Sequence, residues 1–226
     1  MAMLLYAHPF SSFAQKVLIA FWEKGIEFEY RNLETPGATD ELRKIWPLGR
    51  FPVLVDKGRV LPESSIIIEY LDRTHPEPVR LIPEDPAAAL HVRLLDRLFD
   101  LEVNRVMQMA VAEALRGERA DRQKEAIETA GKALDVTYGW LEGQLRGQLH
   151  GQSDEHTWAA GQDFSMADCA AAPALFYADW VHRIGEAFPT LRAYRARLLQ
   201  RPSVARAVEE GRPYRCYFPL GAPDRD

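Results

Sequence analysis

The residues with the most chemical reach lie in two short stretches. In YAHPFSSFAQKVLIA (6–20), the adjacent hydroxyls of Ser11 and Ser12 fall where an apolar run gives way to a helical pattern. Unpaired N–H groups at a helix start, together with the helix dipole, favour negative charge. A hydroxyl at that point is therefore placed to donate to an anion. Ser12 followed three residues later by Gln15 matches a capping box, which assigns Ser12 to the N-cap and leaves Ser11 with a hydroxyl the helix does not need. In WPLGRFPVLVDKGRVLPES (46–64), the residues of interest are Arg50, Phe51-Pro52 and Glu63-Ser64. Taken singly they are ordinary: Pro52 reads as a strand-edge proline with a trans bond, Ser64 as a helix cap, and Glu63 as an acid complementing the dipole.

The elements that must position these groups follow from periodicity. LLYA (4–7) reads as a strand, 12–25 as a helix with Gly25 just past its end, and EFEYRNL (27–33) as an alternating strand. PVLVDKGRVLPES (52–64) reads as a hairpin turning at Lys57-Gly58, and 64–75 as another helix. Two strands bracketing a helix form a βαβ unit with parallel strands, and the later hairpin is antiparallel. HPEPVRLIPEDP (75–86) holds four prolines, which cannot sit in helix interiors, so it is a linker. Beyond it, 87–116, 119–147, 165–183, 189–200 and 203–210 all read as helical. The expected division is 1–78 for the α/β domain, 79–87 for the linker and 88–226 for an all-helical domain.

Composition narrows the function classes. The 226-residue chain carries 28 Lys plus Arg against 33 Asp plus Glu, a net charge of −5, so it lacks the basic stripe that nucleic-acid binding requires. No apolar run reaches the roughly 20 residues of a membrane span. The N-terminus lacks a basic leader and a small-residue cleavage site, and a cytoplasmic protein is expected. Cys169 and Cys216 are too few for a disulfide framework. His8, His75, His91, His150, His156 and His182 show no metal-ligand spacing, so no metal is expected. The apolar surroundings of Cys169 point to a buried, inert thiol. His8 reads as a solvent-facing loop residue, and Phe176, Tyr177 and Trp180 read as core.

In order, the pieces are a strand, PxSxxxxKV opening a helix, PLGRFPVL, ESxxIxEYL, a proline-rich linker, and a helical half containing FSMADCAAAPAL (164–175). This arrangement resembles the glutathione transferase family over the whole chain, and specifically its serine-type, bacterial-like members. The resemblance implies a thioredoxin-like N-terminal domain that holds glutathione as co-substrate, followed by an all-α C-terminal domain. It implies a cis bond before Pro52, which would present the backbone of Phe51 to an extended tripeptide. Glu63 and Ser64 would clamp the γ-glutamyl end, Arg50 would reach the glycine carboxylate, and Ser165 with Asp168 would form a structural capping box. Ser11 maps onto the thiol-activating serine, with Ser12 second and Tyr6 third. Ser11-Ser12-Phe13 departs from the Ser-Ser-Cys pattern of maleylacetoacetate-isomerase-like relatives, and no cysteine lies at 8–14, so plain thiolate activation is expected.

The energetics of that activation are modest. A cysteine-type thiol has a pKa near 8.5, and lowering it by two units requires about 2.7 kcal/mol. A hydrogen bond to a charged acceptor supplies about 1.5–3 kcal/mol and a helix start about 0.3–1 kcal/mol. One hydroxyl plus the dipole suffices. The implied function is thiolate attack on a small hydrophobic electrophile held between Phe10 and the helices from Phe99 to Leu115, in a homodimer and for detoxification. The alternative is a glutathione- or hydrophobic-ligand-binding protein of the same fold with little or no catalysis.

Overall fold

The computed structural model describes residues 2–117, 120–147 and 157–226. Strands β1 (Met3–Ala7), β2 (Phe28–Asn32), β3 (Val53–Asp56) and β4 (Arg59–Pro62) form one sheet in the order β2-β1-β3-β4. β1 and β2 are parallel, with Leu5 opposite Tyr30, and the β3–β4 hairpin is antiparallel, with Val55 opposite Val60. Three helices accompany the sheet: α1 (Ser12–Glu23), α2 (Ala38–Ile45) and α3 (Ser64–Thr74). Strand alternation sorts them onto two faces. Leu5 and Ala7 of β1 join the core with α1 and α3, while Tyr6 points the other way and packs with Leu42 of α2 and Val53. This is the expected thioredoxin-like sheet.

The periodicity reading passes over α2. Asp40 and Glu41 in its first turn and Arg43 and Lys44 in its last complement the dipole, and that charge order is its sequence signal. The start of α1 is also corrected. Ser11, not Ser12, is the N-cap: its backbone is extended at φ −84° and ψ 125°, and its Oγ accepts from Ala14 N at 3.4 Å. Gln15 does not complete a capping box with Ser12; its amide donates instead to Pro9 O at 2.9 Å.

The C-terminal part is helical: α4 (Pro86–Leu98), α5 (Arg105–Arg116), α6 (Ala120–Leu145), α7 (Met166–Val181), α8 (Pro189–Gln200) and α9 (Pro202–Gly211). A 3-10 turn at Arg212–Tyr217 follows. The stretch expected as one helix over 87–116 is interrupted by a π-turn at Phe99–Asn104. In a continuous α-helix, residues twelve apart are about 120° out of line. The π-turn closes i→i+5 rings, winds less per residue and takes up part of that angle. Asp96, Asp100 and Gln108 consequently all face α1: Lys16 Nζ lies 2.6 Å from Asp96 and 2.8 Å from Asp100, and Gln108 Nε2 donates to Ser12 Oγ at 3.3 Å. The expected helix start at 119 lies outside the described residues.

α7 runs through the centre of this domain and is buried from Met166 to Trp180. The Ser165–Asp168 capping box is formed, and Asp168 also accepts from Ala159 N at 2.8 Å and Tyr194 Oη at 2.7 Å. Burial pushes the Cys169 thiol well above its ordinary pKa, so this cysteine is inert. No described helix is long and apolar enough to cross a membrane.

Candidate active site

Two clefts flank the start of α1. The first has a volume of about 190 Å³ and is lined by Phe13, Trp46, Arg50, Phe51, Pro52, Pro62, Glu63 and Ser64. The Phe51–Pro52 bond at its floor is cis. Glu63, the N-cap of α3, sits at φ 71°, in the left-handed region that non-glycine residues rarely adopt. Such backbone costs of order 1–3 kcal/mol and tends to mark functional positions. α3 has no side-chain cap bond and no acidic residue in its first turn, so its first N–H groups have no carboxylate from the chain itself. Ser64 is nearly buried, whereas Arg50 and Glu63 are exposed. Just behind, Ser65 Oγ accepts from Lys16 Nζ at 2.9 Å, which ties the start of α3 to α1. Burial raises the Asp100 carboxyl pKa in this cluster, against the pull of Lys16.

The second cleft has a volume of about 180 Å³ and brings together four distant parts of the chain. Phe10, Ser11 and Ser12 come from the start of α1, and Met107, Gln108, Val111 and Leu115 from α5. Tyr177 of α7 and Tyr217, Phe218 and Pro219 after α9 complete it. Among the described residues, no Lys, Arg or His lines it. Phe10 packs edge-on against Tyr177 with ring centroids 5.3 Å apart. Phe99, expected as part of the wall, is instead fully buried in the core.

The sequence-predicted residues thus fall into two groups: Arg50, Phe51, Glu63 and Ser64 in one cleft, Phe10 and Ser11 in the other. Ser11 is half-buried, and its long cap bond uses the oxygen as acceptor only, which leaves the O–H proton available to a ligand. Ser12 is buried and accepts from Gln108. Tyr6 lies on the α2 face of the sheet, away from both clefts, and burial together with the Glu41 carboxylate raises its pKa. Tyr6 is thus set apart from the paired hydroxyls of Ser11 and Ser12. His8 is not a solvent-facing loop residue. It is half-buried, its Nδ1 accepts from Phe10 N at 3.1 Å, and its Nε2 meets Glu34 at 2.9 Å. The pairing assigns the proton to Nε2.

Sequence reasoning missed Trp46, Tyr217, Phe218 and Pro219 as lining residues; Gln108 falls within the expected wall from Phe99 to Leu115, and Tyr177 reads as core in a region that, by the family resemblance, can reach the second-substrate pocket. Tyr177 is in fact both core and cleft wall. His150 and His156 lie outside the described residues. Among the described residues, no group of three or more His, Cys, Asp or Glu could hold a metal ion.

Models of the glutathione S-transferase N-terminal and C-terminal domains match residues 5–79 and 98–202 in turn. The chain belongs to the glutathione S-transferase family. Its similarity to individual members runs the length of the chain. A probable maleylacetoacetate isomerase of Vibrio cholerae is 29% identical over 224 residues, covering 96% of this chain and all of that one. A stringent starvation protein A homolog of Coxiella burnetii is 28% identical over 210 residues, covering 92% of each. The crystal structure of a glutathione S-transferase from Methylobacillus flagellatus, with glutathione bound, superposes with a TM-score of 0.76 at 27% identity, covering 91% of this chain and 98% of that one.

Proposed function

We propose that this protein is a serine-type, bacterial-like glutathione transferase that activates the glutathione thiol as a thiolate for attack on a small hydrophobic electrophile. The observation that carries the reading is the Ser11 hydroxyl: it caps α1 weakly, keeps its proton, and lines an apolar cleft next to the one formed by Phe51-Pro52 and Glu63-Ser64. The first cleft has the donor set a zwitterionic tripeptide needs. Ser64 and the uncapped N–H groups of α3 receive the α-carboxylate, Glu63 meets the α-ammonium, and the backbone of Phe51 pairs with the peptide. Arg50 reaches the glycine carboxylate.

The sulfur then lies at the start of α1, where Ser11 donates to it and the dipole adds a smaller contribution. The thiol proton leaves to solvent. The thiolate forms the new carbon–sulfur bond, and with an aryl halide the halide departs with the displaced electron pair. Phe10, Val111, Leu115 and Phe218 hold the electrophile, and the lack of a cationic lining residue among those described favours an uncharged one. Conjugation in the cytoplasm by a homodimer, serving detoxification, completes the proposal.

Retention on immobilised glutathione, followed by conjugation of an uncharged aryl halide, tests this reading; absence of both defeats it. A second reading is a glutathione- or hydrophobic-ligand-binding protein of this fold with little turnover. One observation favours it: the Coxiella relative bears a name that describes no reaction. Retention without conjugation is the outcome that selects it.

A further inference from the structure

The loop that carries Ser11 is gripped from behind by the C-terminal half of the chain. Tyr177 of α7 is 3% exposed, and its hydroxyl donates to Phe10 O at 3.0 Å. The same hydroxyl accepts from Gln15 Nε2 at 3.1 Å. That amide also donates to Pro9 O at 2.9 Å and approaches Ala207 O of α9 at 3.3 Å. Both carbonyls immediately ahead of Ser11 are therefore held by side chains, Pro9 O by Gln15 of α1 and Phe10 O by Tyr177 of α7. Gly211 closes the same place: a Cβ there would lie 3.0 Å from Gln15 Nε2 and 3.2 Å from Pro9 O, so a side chain at this point of α9 would press on both. On the opposite side, Ser11 N donates to His8 O at 3.0 Å.

Ser11's own cap bond is long at 3.4 Å, so its place is inherited from the backbone on either side of it. We propose that Tyr177, acting with Gln15, is a positioning residue: it fixes the Pro9–Phe10 backbone and so aims the Ser11 hydroxyl at the thiol sulfur. This rests on the reading of Ser11 as thiolate stabiliser. A phenol suits the task because burial pushes its pKa far up, so it keeps its proton and remains a donor to Phe10 O. Because Tyr177 also lines the second cleft, one side chain joins the geometry of the two substrates' sites.

Tyr177→Phe tests this through the pH dependence of thiolate ultraviolet absorbance in the binary complex with glutathione. The variant is expected to raise the bound-thiol pKa by about 0.5–1 unit and lower kcat/KM roughly 3–10-fold, a loss of one neutral hydrogen bond in scale. The KM for glutathione is expected to stay within about twofold, since the Glu63–Ser64 cleft is untouched. Amide exchange at Ser11 and Ala14 should quicken in the ligand-free variant. In a Ser11→Ala background, Tyr177→Phe should leave the thiol pKa where Ser11→Ala alone puts it, because a residue acting through Ser11 has nothing left to aim. A thiol pKa equal to wild type overturns the inference while leaving the Ser11 reading intact. A wild-type protein that leaves bound thiol at its solution pKa overturns both. Should Tyr177→Phe not fold, Gln15→Met removes the neighbouring donor to Pro9 and is judged by the same shift.

Discussion

The starts of α1 and α3 in the N-terminal half are built differently from those of α7 and α8 in the C-terminal half. In the C-terminal half, α7 and α8 receive anions from the chain itself. Asp168 closes the start of α7, and the Glu142 carboxylate accepts from Thr190 N at 3.0 Å and Leu191 N at 2.8 Å at the start of α8. In the N-terminal half, α1 and α3 have no acidic residue in the first turn, α3 has no side-chain cap bond, and α1 has only the long bond from Ser11. The difference separates helix starts closed as structural joints from helix starts that carry no acid of their own, which under the proposed function receive the ligand. Glu142 also shows the direction in which such a start acts on an anion here. Partial burial works against its charge, yet the N–H groups of Leu191 and Thr190, with Arg146, hold its carboxyl below the usual range. A thiolate or carboxylate of glutathione at α1 or α3 would draw on the same kind of donor.

The largest effect is expected at the closed starts. Asp168→Ala leaves the Ala159 N–H and the Tyr194 hydroxyl buried without their acceptor. It should cost about 3–5 kcal/mol in urea unfolding with thiol activation per folded molecule unchanged; a cost below about 1 kcal/mol would erase the contrast. Next comes Ser11→Ala, which should raise the bound-thiol pKa by about 1–2 units and lower kcat/KM roughly 10–100-fold while stability falls by under about 1 kcal/mol. If the thiolate titrates as in wild type, Ser11 is only a cap. Ser64→Ala should weaken glutathione binding by calorimetry about 5–10-fold and leave the bound-thiol pKa within about 0.3 unit.

The smallest effect concerns acid stability. Because the folded carboxyl of Glu142 lies below its ordinary value of 4.5, its contribution is present above that pH and is lost as pH falls through the folded value. Glu142→Gln should therefore cost about 0.5–1 kcal/mol at pH 7, and the cost should shrink toward nothing as pH falls through the folded value. A difference that persists undiminished in acid would assign the effect to packing rather than charge.

The first cleft is legible in the sequence because all of its lining but Phe13 comes from one stretch, Trp46 to Ser64. Arg50, Phe51 and Pro52, then Glu63 and Ser64, belong to a single strand–turn–strand–helix segment, so their order along the chain is nearly their order in space. The second cleft is not. Phe10 stands out beside the two serines, but Tyr217, Phe218 and Pro219 arrive from a terminal segment with no periodicity, and nothing local announces that it folds over Ser11. The misplaced cap has a similar cause. Ser11 and Ser12 are both cap residues by type, and Gln15 has the right spacing for Ser12. Its amide is instead claimed by Pro9, Tyr177 and Ala207, two of them more than 160 residues away. A local rule cannot see such competitors. α2 was readable, from Asp40 and Glu41 at one end and Arg43 and Lys44 at the other, but its eight residues give little apolar period to detect.

The π-turn at Phe99–Asn104 makes the winding of that segment matter more than its composition. Regular α-helical winding of the same six residues, with none removed, would rotate everything downstream by about 100°. Met107, Gln108 and Val111 would swing off the cleft wall, and Ser12 would lose its amide partner, although no residue in contact with either had been replaced. Descendants of this chain can therefore exchange side chains freely along the exposed flank of the turn, at Leu101 and Glu102, and keep the same pocket as long as the wider winding of its six residues persists.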